Sequence, residues 1–226
     1  MKTDVILLPG LHGSTALYDA FVASAPPWAR CRALPLPDDG AQGFDAIAER
    51  LAPALRPLEG FVLLAESFSG PVAARLTRML AGRVGLLVLC NPLTVAPLRP
   101  PARLTARLIR SGLAPAWAVA FAMCGSDAAL GRLILRETRR LPLPTLQARL
   151  ATALRASGAD ITDHVAAPLL AILGTNDRLL PAATSRSLLS AAPNSRIAEL
   201  PAPHLVAQTM PSAVWAAITA EFAGAT

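Results

Sequence analysis

Residues 61–71, F-V-L-L-A-E-S-F-S-G-P, constrain this chain more than any other stretch. Phe61, Val62, Leu63 and Leu64 form a short unbroken apolar run, the pattern of a strand buried on both faces, and the run ends in small residues around Ser67. Over residues 69–81 the apolar positions Val72, Leu76, Met79 and Leu80 recur at helical spacing. Pro71 stands in the first turn, where a missing N–H is harmless. Ser67 therefore sits on a predicted strand-to-helix turn. Such a turn strains the serine backbone, lifts the hydroxyl clear of the sheet edge and points the N–H groups of the new helix at whatever the serine attacks. The bend is tight enough to require small residues on both sides, and Ala65 and Ser69 hold the two positions where glycine is usual.

The rest of the chain repeats the alternation. Residues 5–8 read as a first buried strand running into the glycine-rich loop P-G-L-H-G-S, and Ser14 can cap a helix over residues 16–23. An extended piece is expected at 32–36 and an amphipathic helix at 44–55, with Phe44, Ile47, Leu51 and Leu55 inward. After the Ser67 unit come a strand at 84–90 stopped by Asn91-Pro92, a strand at 168–173, a helix at 182–191, a strand at 196–200 and a closing helix from 211. Strands alternating with helices predict an α/β fold with a mostly parallel central sheet flanked by helices. Residues 97–158 break the pattern. They carry prolines, arginines and helical periodicity without a convincing strand, so they read as a helical insertion between core segments 1–96 and 159–226.

A sheet of this kind needs a large apolar core, and 53% hydrophobic residues against 16% charged supply one within 226 residues. The same balance excludes a disordered chain and a nucleic-acid-binding tail. No apolar run approaches the roughly 20 residues that span a bilayer. The opening residues, with an acid at Asp4 and five apolar positions before Gly10, do not read as a secretory signal, so a cytoplasmic protein is expected. Cys31, Cys90 and Cys124 are too widely spaced for a zinc site or a disulfide framework and read as small buried hydrophobes.

In a parallel sheet, functional groups gather at the carboxyl ends of the strands. Four loops after strands carry polar residues in this apolar chain: residues 11–14, Ser67, Asp177 and His204. Serine is a poor nucleophile alone. It needs a neutral imidazole to take its proton, and the imidazole needs a carboxylate to fix its tautomer and stabilise the cation. Asp177 and His204 can supply both, in the order serine, acid, histidine, and the interval of 27 positions from one to the other leaves room for one helix and one strand.

With those residues in place the sequence resembles the α/β-hydrolase family, whose turn serine, late G-x-x-D loop and near-terminal histidine match Ser67, residues 174–177 and His204. The resemblance covers most of the chain but begins at the family's third strand, so the usual opening hairpin is missing or shortened. A-E-S-F-S departs from the family's G-x-S-x-G, which leaves the subfamily open. The resemblance implies that residues 97–158 cap the pocket, that one oxyanion-hole N–H comes from Phe68, and that the other comes from the loop after the first strand. Pro9-Gly10 directly follows that strand and puts the second donor at Leu11; the competing match, His12-Gly13, would put it at Ser14. It also implies a serine hydrolase, of the carboxylesterase type, needing neither metal nor cofactor. Acyl transfer, thioester cleavage and ligand binding without chemistry are the alternatives on the same fold.

Other polar residues read more plainly. His12 is a loop histidine without an acid spaced to orient it, His164 a surface residue, and Glu66 a group behind the turn or a partner for an arginine. Of the net charge of +6, much is local: ten arginines lie between 99 and 155, against Asp127, Glu137 and, just beyond, Asp160. Those at 103, 107, 110, 132, 136, 139 and 140 recur at helical spacing. Such a stripe is a solvated helix face by default. The sharper reading is a docking face for an acidic carrier protein or an anionic lipid surface, alongside the ester substrate.

Overall fold

The computed structural model describes residues 2–96, 102–111, 116–192 and 194–223. Six strands form one parallel sheet: β1 (Thr3–Leu8), β2 (Ala29–Ala33), β3 (Phe61–Glu66), β4 (Val84–Cys90), β5 (Leu169–Gly174) and β6 (Ser195–Leu200), in the spatial order β2-β1-β3-β4-β5-β6. Among the described residues none of these strands pairs antiparallel. The helices are α1 (Asp19–Ala23), α2 (Phe44–Leu55), α3 (Ser69–Met79), α4 (Ala102–Arg110), α5 (Ala116–Met123), α6 (Ala128–Arg140), α7 (Leu143–Ala153), α8 (Ala159–Thr162), α9 (Ala182–Leu189), α10 (Val206–Thr209) and α11 (Pro211–Ala223). No single helix among the described residues is long and apolar enough to cross a membrane.

Period-two side-chain alternation sorts the strands between two cores. On β3, Phe61, Leu63 and Ala65 face a layer with Phe44, Ile47 and Leu51 of α2 and Val72 and Leu76 of α3. Val62 and Leu64 face the opposite layer, where Tyr18, Phe21, Val214, Trp215 and Ile218 pack. Both faces being covered is why the strand reads as a continuous apolar run. Met79, expected inward by spacing, is instead 43% exposed at the end of α3. The second strand begins at Ala29, three residues ahead of the expected extended piece, because it pairs with β1 from Thr3 onward. Helix α1 is shorter than expected: Ser14 caps a 3-10 turn, Thr15–Tyr18, that precedes it.

The chain leaves β1 towards β2 on one side and leaves β3 towards β4 on the other. This reversal opens a crevice beyond the carboxyl ends of β1 and β3, the place where open parallel sheets hold ligands. The loop at residues 9–14 and Ser67 flank it.

Helices α4 to α7 cross over that end of the molecule. They pack on the core through Leu17, Cys124, Ile134 and Leu205, and through Leu11 against Leu141, Leu146 and Leu150. The arginine stripe divides once placed. Arg99 and the side chain of Arg103 lie outside the described residues. Arg110 donates to the carbonyls of Arg139 and Leu141, and Arg139 to that of Ile109, joining α4 to α6. Arg136 and Arg140 both pair with the buried Glu137. Arg107 and Arg132 are exposed. Arg149, one of the ten, is wholly buried at 0% exposure.

The close packing at the turn falls one residue later than the expected glycine position. A Cβ on Gly70 would lie 2.8 Å from Pro92 Cβ, whereas Ser69 fits and donates its hydroxyl to the carbonyl of Pro9. Gly70→Ala should therefore destabilise the fold by about 1–3 kcal/mol through overpacking. The measurement is the urea midpoint at unchanged slope.

Candidate active site

Ser67 occupies the end of β3 with φ of +48°, in the left-handed region that a non-glycine residue enters only where its surroundings hold it. Three backbone bonds do so: its N–H donates to Cys90 O, and its carbonyl accepts from Gly70 N and Leu93 N. The hydroxyl projects out of the sheet edge. His204 Nε2 lies 3.0 Å from Ser67 Oγ, and His204 Nδ1 lies 2.7 Å from Asp177 Oδ2. Asp177 Oδ1 accepts from the N–H groups of Leu179 and Leu180, at 2.8 and 2.9 Å, which fixes the carboxylate while its other oxygen faces the imidazole. The structure thus brings together the three residues singled out in sequence, from the loops after β3, β5 and β6.

Two further elements arrange them. Asn91 closes β4 with φ of +41°. Its Nδ2 donates to the carbonyls of Pro203 and His204, and its Oδ1 accepts from Gly174 N–H at 2.7 Å. One buried amide therefore holds the acid loop and the histidine loop in register. Gly174 is required at that junction, since a Cβ there would come within 2.7 Å of Pro203 O. Arg149, from α7, donates to the carbonyls of Leu11 and Pro37, both at 2.7 Å, and to Gln42 Oε1. Burial pushes its guanidinium down to about 10, with Asp38 opposing, and among the described residues no carboxylate is hydrogen-bonded to it. Across the same loop, Ser14 Oγ donates to Glu137 Oε2 at 2.8 Å. Sequence reasoning missed both roles: Asn91 reads as a strand stop, and Arg149 is one arginine among ten.

The loop also separates the two candidate oxyanion donors. The N–H of Ser14 is taken by His12 Nδ1 at 3.1 Å. Among the described residues the N–H groups of Leu11 and Phe68 have no hydrogen-bond acceptor, and both residues line the cavity at Ser67. That cavity, about 270 Å³, is walled by apolar side chains including Phe68, Leu93, Met123, Ile134, Leu150 and Leu180. Its few polar groups are Ser67, His204, His12, Thr105 and Thr138.

His12 and Glu66 are buried ionisable groups beside the turn. Burial and then the Arg149 guanidinium push His12 down to about 4, with Glu137 opposing, so the ring is neutral at pH 7. Its Nε2 is buried without a partner, an arrangement that costs about 1–3 kcal/mol. Glu66 is not paired with an arginine, contrary to one expectation. It accepts from Gln208 Nε2 at 2.9 Å, and burial pushes its carboxyl up to about 7 against the opposing pull of Gln208, Tyr18 and His204. His164 sits half-buried beside Arg78, well away from these groups. Among the described residues no group of three or more His, Cys, Asp or Glu converges on a metal-sized site, and all three cysteines are free.

No protein-family model and no curated protein sequence matches the chain. Solved structures match over nearly its whole length. An esterase from Thermogutta terrifontis superimposes with a TM-score of 0.81 at 20% identity, covering 99% of this chain and 90% of that one. An enol-lactonase from Burkholderia xenovorans LB400 gives 0.81 at 16% identity, over 97% and 92% of the two chains. A hydrolase from Oleispira antarctica gives 0.83 at 11% identity, over 98% and 91%. The chain has the α/β-hydrolase fold.

Two outcomes test this geometry. Asn91→Ala leaves Gly174 N–H and two carbonyls without their partner and should lower stability by about 1–3 kcal/mol, read as a shifted urea midpoint. Glu66 binds its proton more tightly folded than unfolded, so its contribution is present below about 4.5 and lost as pH rises through about 7. Wild-type stability should fall over that window, and Glu66→Gln should flatten the fall in denaturation curves taken at pH 5 and pH 8.

Proposed function

We propose that this chain is a cytoplasmic serine hydrolase that cleaves a carboxylic ester through an acyl-enzyme. The observation that carries the reading is the unbroken path from Ser67 Oγ to His204 Nε2, at 3.0 Å, and from His204 Nδ1 to Asp177 Oδ2, at 2.7 Å, opening onto an apolar cavity. Ser67 Oγ attacks the carbonyl carbon as its proton passes to His204 Nε2, and Asp177 stabilises the imidazolium. The N–H groups of Leu11 and Phe68 receive the oxyanion. Collapse expels the alcohol, which takes the proton from His204, and a water activated by the same imidazole then releases the acid. Nucleophile, base and donors all come from the chain, so the reaction as drawn calls on no metal or cofactor. The wall composition favours an uncharged, apolar acyl group.

Helices 102–153 act in this reading as the cap that shapes the acyl pocket. A thioester or acyl group delivered on an acidic carrier protein is the second reading. Arg107 and Arg132 are exposed on these helices, as are Trp117 and Phe121, at 71% and 51%. Charge steering speeds association roughly 10-fold or more at low salt and fades as the Debye length shrinks to about 8 Å at 0.15 M. Reversing Arg107 and Arg132 to Glu should then weaken turnover of a carrier-borne chain and spare a short neutral ester; parallel salt curves for the two substrates would remove the carrier. Arg136 and Arg140 are poor choices for this test, because reversing them breaks their pairs with Glu137.

The decisive experiment pairs a series of p-nitrophenyl esters with fluorophosphonate labelling. Ser67→Ala and His204→Ala should each lower kcat by roughly 10⁴- to 10⁶-fold, with the double variant little worse, because the residues act as a unit. Asp177→Asn should cost about 10⁴-fold through the wrong imidazole tautomer. Labelling that persists in Ser67→Ala would reject the nucleophile.

A further inference from the structure

His12 is the one polar side chain at the wall of the Ser67 cavity whose buried nitrogen lacks a partner among the described residues. The ring is 4% exposed, and its Nδ1 accepts from Ser14 N–H at 3.1 Å. A neutral imidazole that accepts at Nδ1 must carry its proton on Nε2. Burial and Arg149 keep the ring neutral by pushing its proton affinity down to about 4. The ring edge borders the nucleophile: a Cβ on Gly10 would stand 3.7 Å from Ser67 Cβ and 3.9 Å from both Cδ2 and Nε2 of His12. Glycine leaves that space open. The Nε2–H therefore lies beside the serine at the cavity wall, on the same loop as the Leu11 amide, and no group among the described residues satisfies it.

We propose that His12 donates a hydrogen bond from Nε2–H to the carbonyl oxygen of the bound ester, as a side-chain donor added to the two backbone amides. The inference rests on the serine-hydrolase reading above. As Ser67 Oγ bonds to the carbonyl carbon, the C=O electron pair moves onto oxygen and the serine proton goes to His204. His12 keeps its own proton throughout and strengthens its hydrogen bond as the charge develops. A preformed donor of this kind acts on kcat more than on KM, because the bond is strongest in the transition state.

Two substitutions separate this role from a structural one. His12→Asn can still accept from Ser14 N–H, at the place of Nδ1, but reaches nothing at Nε2. His12→Gln can present an amide N–H where Nε2 was, at the cost of the Ser14 bond. With a p-nitrophenyl ester, His12→Asn should lose about 10²-fold in kcat with KM within about 3-fold, and a boronic acid that forms a tetrahedral adduct on Ser67 should bind about 10²-fold more weakly. His12→Gln should stay within about 10-fold of wild type on both measures. The reverse order, Gln impaired and Asn intact, assigns His12 to loop structure and overturns the proposal, as does wild-type kcat in His12→Asn while Ser67→Ala is inactive. Activity that survives in Ser67→Ala overturns the hydrolase reading, and the proposal with it.

Discussion

Everything at this end of the molecule depends on the backbone of Ser67 being held at φ of +48°. A serine pays for that conformation only if neighbours over-determine it. Cys90, Gly70 and Leu93 bind its peptide groups, and Gly70 leaves room for Pro92 against the bend. The Ser69 hydroxyl ties the same turn to Pro9, the residue before the candidate oxyanion loop. Ser67 and the loop are thus fixed to each other across β1 and β3 before any side chain of the candidate triad is considered.

The second constraint is convergence. Asp177 and His204 come from loops after β5 and β6, and β5 pairs directly with β4. Asn91 ends β4 and spends its whole amide on those two loops, with one acceptor bond from Gly174 and two donor bonds to 203 and 204. A hydrogen-bonded amide in a buried position is strongly directional, since leaving any of its groups unpaired is costly. It holds the distance between acid and histidine without contributing to either.

How much of this could be read in the sequence depended on the kind of signal. Apolar runs and post-strand loops mark Ser67, Asp177 and His204, because strand period and chain order place them at one sheet edge. The strands at 84–90 and the helix at 44–55 fall where periodicity put them. Asn91, Arg149 and His12 carry no such mark. Their roles arise from partners 83 to 138 positions away, or, for His12, from what a cavity leaves unpaired. Local pattern holds no information of that range. The arginine count misled for the same reason: a guanidinium on a helical stripe looks alike whether it meets water, caps a carbonyl or is buried.

Arg149 carries the consequence furthest. From α7 it holds the Leu11 carbonyl, while Glu137 on α6 takes the Ser14 hydroxyl, so the loop beside Ser67 is clasped from above by the helices that also wall the cavity. Those helices are not an interchangeable lid. Grafting a different insertion onto this core would remove the clasp along with the wall, and cavity shape and loop geometry would change together. In this chain the two are one trait, open to gradual substitution within α6 and α7 but not to exchange by modules.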